Sequence, residues 1–173
     1  MSTKFSSLQI IKDHIRTLKL YNSQGVDRIS VILNFIFPFF LALIFLYFHN
    51  FLIPSIITVL ITVLSIFIAL LLNLLFLMYS IFTRRLQTSV KEVSSQGENN
   101  VRIRLLKETY YNIQFSVLSC IYALIAIILY VLFPTELYLD LFLGFIVYYF
   151  LFVFIFTLLM ILKRTHTLFS REF

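Results

Sequence analysis

Tryptophan is absent from these 173 residues, cysteine occurs once, glycine and proline three times each, and Asp, Glu, Lys and Arg together make up 13%. So few charged residues cannot clothe a domain that buries its core in water, and 61% hydrophobic content with 18% aromatics places the chain among polytopic membrane proteins. The lone thiol, Cys120, excludes an intrachain disulfide and most metal sites. No Asp, Glu, Lys, Arg or His lies in the central part of any apolar run. Proton-coupled transporters, voltage sensors and intramembrane hydrolases need ionisable groups at that depth. His14, His49 and His166 are too scattered to ligate a catalytic metal, and no embedded base stands by to activate a serine. The chain is therefore expected not to be an enzyme and to need no cofactor.

The apolar runs are Ile29 to Phe48, Leu52 to Phe82, Ile113 to Phe133 and Leu139 to Leu162. Each is long enough to cross a hydrocarbon core, which takes about 20 helical residues. Lys and Arg are missing from both intervals that join the runs in pairs: His49-Asn50-Phe51 carries no formal charge, and Pro134 to Asp140 carries only Glu136 and Asp140. All 14 bases fall in the amino-terminal segment, the central connector or the carboxyl-terminal tail. The positive-inside rule assigns these three to the cytoplasm, so both termini are expected on the inner side of the membrane. No small-residue cleavage site follows a short apolar stretch, so the first run is expected to stay as an anchor.

The expected fold is all-α: four transmembrane helices in two hairpins behind an N-terminal amphipathic helix. The divisions are 1–28 for the cytoplasmic helix, 29–83 for the first hairpin, 84–111 for a basic connector, 112–163 for the second hairpin and 164–173 for the tail. In the first segment Leu8, Ile11, Ile15 and Leu18 recur at helical steps opposite Lys12, Asp13, Arg16 and Lys19. Such a helix either lies flat among inner headgroups or docks on the ends of the bundle. The second run, about 31 residues, exceeds a ~30 Å core and must tilt or project, so Leu75 to Phe82 is expected to protrude and pack on protein. Gln87 to Asn100 reads as loop, with helix resuming at Val101 and running into the third span.

Polar and small residues mark one face of several runs. Ser55, Thr58, Thr62, Ser65, Ala69 and Asn73 follow steps of three and four, with Ser80 extending the line. Asn112, Ser116, Ser119, Ala123 and Ala126 do the same in the third run, and Ser30, Asn34, Pro38 and Ala42 in the first. Such faces either pack helices closely or line a hydrated path. Asn34 and Asn73 are the most informative, because an amide in hydrocarbon needs partners. The fourth run is crowded with aromatics on both flanks and reads as a lipid-facing or subunit-contact helix. Tyr47, Tyr79, Tyr110, Tyr111, Tyr130 and Tyr138 fall at headgroup levels as anchors; Tyr110 and Tyr111 have stacking on a nucleobase as the rival role.

Basic clusters stand at Arg84 and Arg85, at Arg102, Arg104 and Lys107, and at Lys163 and Arg164. All should meet at the cytoplasmic mouth, where they suit anionic lipid or a phosphate-bearing ligand. Four spans can fill their own interior, so a pore requires an oligomer.

The segments L-L-K-E-T-Y-Y-N at Leu105 to Asn112 and L-M-I-L-K-R-T-H-T-L-F at Leu159 to Phe169 resemble the helix ends of small four-span bacterial antiphage effectors. The families in question are the membrane effector of Hailong systems, encoded with a nucleotidyltransferase, and the membrane component of Kiwa systems. The resemblance implies a homo-oligomer, a tetramer, that disturbs the inner membrane during infection. For the Hailong family it further implies gating by a DNA oligomer made by the partner enzyme, with Lys107, Lys163 and Arg164 the motif residues available to hold it. A channel-forming effector gated from the cytoplasm is the leading expectation. A non-conducting scaffold or sensor recruiting a soluble partner is the alternative, and a small transporter comes third.

Overall fold

The computed structural model describes residues 7–17, 31–48, 53–89, 96–133 and 137–169. Every element among them is helical: α1 (Ser7–Thr17), a π-helical segment (Ile32–Ile36) continuing into α2 (Phe37–Phe48), α3 (Pro54–Ser89), α4 (Gln96–Leu132) and α5 (Leu137–Phe169). Pro54–Ile81, Leu105–Leu132 and Tyr138–His166 are long and apolar enough to cross a membrane, and Ile32–Phe48 is a shorter apolar helix. In such a medium a backbone can satisfy its own polar groups only as a helix or a closed barrel, and unbroken Leu, Ile, Phe and Val runs choose the helix.

Prolines set local geometry. Pro54 opens α3, where its missing N–H costs nothing, and the amides of Ile56 and Ile57 donate to Ile53 O at 2.9 and 3.1 Å. Pro38 lies inside the first apolar helix, where it has no N–H to offer Asn34 O and its ring crowds that carbonyl. The turn before it widens accordingly: Phe37 N–H reaches Ile32 O, five residues back. The helix continues through this π segment without a break. The polar interval after α3 is also more helical than its composition suggests, since α3 runs on to Ser89 and α4 has already begun at Gln96.

The helices pack antiparallel in the spatial order α3, α4, α5, α2, with α1 on the side of α4. The α4–α5 pair is the most extensive. Small residues explain it: Ser116, Ser119, Cys120, Ala123 and Ala126 on α4 are all buried, which lets α5 approach and bury Val147, Val153, Phe154 and Thr157. On its other side α5 meets α2 through edge-on rings, Phe37 with Phe156 at 5.2 Å, Phe39 with Phe145 at 5.3 Å and Phe45 with Phe152 at 5.1 Å. The aromatic-rich helix is thus central, flanked by helices on both sides, rather than turned to lipid. Helix α3 sets Ile57, Leu64 and Leu71 into α4, with Leu74, Leu75 and Met78 packed beside them, and touches α5 where Phe67 meets Phe154 at 5.4 Å. Among the described residues α2 and α3, neighbours in sequence, share no extensive interface.

Candidate functional site

Antiparallel packing collects the ends that carry Arg84, Lys107, Lys163 and Arg164 at one end of the molecule, together with α1. Here lies a buried polar knot. His14 is fully buried, its ring stacked on Phe115 at 3.9 Å with an interplanar angle of 4° and edge-on to Phe35 at 6.1 Å. His14 Nδ1–H donates to Asn112 Oδ1 at 2.9 Å, and Thr17 Oγ1 lies 2.9 Å from that oxygen and 2.7 Å from His14 O. Arg164 reaches across from α5 to donate to Thr17 O at 2.7 Å, while its other terminal nitrogen sits 3.4 Å from Glu108 Oε2. Burial drives the His14 imidazolium down to a pKa of about 4; the Asn112 hydrogen bond opposes this and the Arg164 charge reinforces it. The ring is neutral at pH 7. His14 Nε2, Asn112 Nδ2 and Ser116 Oγ have no hydrogen-bond partner among the described residues.

Helix α1 docks through the face that holds His14 and Thr17, and not through its apolar stripe. Leu8 stays 75% exposed and Ile15 39% exposed, on a side roughly 110° around the helix from His14. Docking therefore leaves Leu8 and Ile15 open, with Ile11 half-buried between the two faces. Nothing in the sequence singles out the knot, because His14 and Asn112 are 98 positions apart and a histidine in a short amphipathic helix is unremarkable.

The α3 stripe lies almost opposite the seam that α3 makes with α4. Ser55, Thr58, Thr62, Ser65, Ala69, Asn73 and Ser80 are all exposed, whereas the equivalent α4 stripe, Asn112 to Ala126, is buried. The α3 hydroxyls bond back to their own helix: Thr58 to Pro54 O at 3.1 Å, Thr62 to Thr58 O at 2.9 Å, Ser65 to Ile61 O at 2.7 Å and Ser80 to Leu77 O at 3.0 Å. Asn73 is different. Its amide has no hydrogen bond among the described residues. Asn34, by contrast, is 4% exposed and donates to Met160 Sδ at 3.7 Å, which ties α2 to α5.

Among the cations, Arg84, Lys107 and Lys163 are exposed and Arg164 is held in the knot. The side chains of Arg85, Arg102 and Arg104 lie outside the described residues. Lys107 Nζ stands 5.9 Å from the centre of the Tyr111 ring. Among the described residues no group of His, Cys, Asp and Glu is placed to hold a metal ion.

These features define an all-helical protein of membrane type, with a basic end closed by a small docked helix. No family model, curated protein or solved structure matches the chain.

Proposed function

We propose that this chain is a four-span inner-membrane protein that self-associates through the outer face of α3 to form a channel, serving as an effector in bacterial antiphage defence. Helix α2 with its π segment supplies the fourth span, and both termini face the cytoplasm, where the bases lie. The observation that carries the assembly is the exposed amide of Asn73, without a hydrogen bond among the described residues, on the stripe with Thr58, Thr62 and Ser65. In hydrocarbon that amide is costly unless water or another copy of the chain meets it. An assembly that turns the stripe inward provides both. The monomer's own interior is filled by Leu64, Ile113, Ile127 and Val147, so conduction belongs to the assembly.

Gating is assigned to an anionic ligand at the basic end, where Arg84 and Lys163 are exposed in each copy and the sequence adds Arg85, Arg102 and Arg104. A nucleotide or DNA oligomer from a partner nucleotidyltransferase suits that charge, as the resemblance to Hailong effectors implies. Purified protein in planar bilayers should pass ions, and Asn73→Leu combined with Thr62→Leu should cut the conductance at least tenfold. Bilayers silent under every ligand condition would remove the reading. The internal bonding of Thr58, Thr62 and Ser65 supports a second reading, a non-conducting scaffold that recruits a soluble partner, because hydroxyls satisfied on their own helix need no water. Under it the same leucine substitutions leave activity intact, and charge reversal at Arg102, Arg104 and Lys107 abolishes recruitment.

A further inference from the structure

Between α3 and α4, at the basic end, a pocket of about 180 Å³ is lined by Met78, Tyr79, Leu106, Lys107, Tyr110 and Tyr111. Its floor is apolar, from Met78, Leu106 and the tyrosine rings, and its rim carries the ammonium of Lys107 and the phenol of the 61% exposed Tyr79. Lys107 is exposed, lies over the Tyr111 ring and has no carboxylate partner among the described residues, whereas Arg16 is paired with Asp13 and Arg164 with Glu108. The depth is set by the helices themselves. Tyr79 stands two residues before the end of the apolar stretch Pro54–Ile81, and Lys107 two residues after the start of Leu105–Leu132.

A cation without a carboxylate among the described residues, at that depth and over an apolar recess between α3 and α4, matches one amphiphile. We infer that the pocket seats a single anionic phospholipid, its phosphate on Lys107 and Tyr79 and its first methylenes on Met78 and the Tyr110 ring. Phosphate is the chemistry the rim reads, and the lipid is its source, because a free phosphate leaves the apolar floor without a partner. A zwitterionic headgroup brings its own cation beside Lys107 and is disfavoured. The inference holds whether or not the assembly conducts.

The test is native mass spectrometry of the delipidated full chain in detergent, titrated with phosphatidylglycerol or phosphatidylcholine. One phosphatidylglycerol per chain should be retained about fivefold better than phosphatidylcholine, the effect of one juxtamembrane lysine on an anionic headgroup. Lys107→Gln, on an exposed position, should erase the preference, and Lys107→Arg should restore it. Equal retention of the two lipids, or full retention by Lys107→Gln, would overturn the inference. So would stripping of the bound lipid by millimolar inorganic phosphate, which would make free phosphate the ligand, or by a short oligodeoxynucleotide, which would give Lys107 to the soluble ligand.

Discussion

His14 makes the attachment of α1 sensitive to acid. When docked, its ring is neutral with a pKa near 4, and once released to water it returns to the ordinary 6.5. Above 6.5 neither state is protonated and docking is at full strength. As pH falls through 6.5 the undocked state takes the proton first, so docking weakens by about 1.4 kcal/mol per unit, reaching about 3 kcal/mol near pH 4. Hydrogen exchange across 7–17, corrected for its intrinsic pH dependence, should therefore accelerate roughly thirtyfold between pH 7.5 and 5. His14→Phe keeps the stack on Phe115 and should flatten this dependence. Asn112→Ala removes the oxygen shared by His14 and Thr17 and should cost about 1–3 kcal/mol of docking, seen as lost protection of α1 with α4 unaffected. None of this was legible in the chain, because a knot built from three distant segments leaves no local periodicity. The polar spacing of α3 and α4 was legible as spacing alone. Which stripe is buried depends on the neighbour, and α4 lies between two helices where α3 has one extensive neighbour.

At the scale of elements, the long helices follow from uninterrupted apolar runs, and their ends follow from Pro54 and from Pro134, which comes just after Phe133 N–H closes on Leu129 O at 3.1 Å. Their pairing does not. Sequence adjacency suggests a hairpin of α2 with α3, yet α2 packs on α5, because its phenylalanines interlock with those of α5. The crowding of aromatics in α5 is equally compatible with lipid and with helix contact, and position in the row decides it. Gly144 lies at this junction: a Cβ built there stands 3.5 Å from Leu46 Cδ1 and 4.0 Å from Tyr130 Cε2, ordinary contact distances. Gly144→Ala should therefore be accepted, gaining up to about 1 kcal/mol from helix propensity. Gly144→Leu should overpack the junction and lower the midpoint of thermal unfolding in detergent.

For the whole molecule, orientation is the property most directly tested. Cys120 is buried, so the native thiol should stay silent to a membrane-impermeant maleimide, and cysteines placed one at a time at Lys107 and Tyr138 become clean reporters. In whole cells the reporter at Tyr138 should label from outside and the one at Lys107 only after lysis. The opposite pattern would invert the molecule and move its basic end out of reach of any cytoplasmic ligand. Charge asymmetry made this expectation readable residue by residue; the unlike flanks of the row, polar on α3 and aromatic on α2, emerged only with the packing order.

That order has a bearing on biogenesis. Of the four helices in the row α2 leaves the ribosome first, but the surface it fits is on α5, made after α3 and α4 have already emerged. Until then α2 lacks its main packing surface, while Phe35 of the π segment before it can meet α4 through Phe115. The row closes only when its latest helix slides between α2 and α4, so losing α5 would strand α2 while leaving the α3–α4 pair intact.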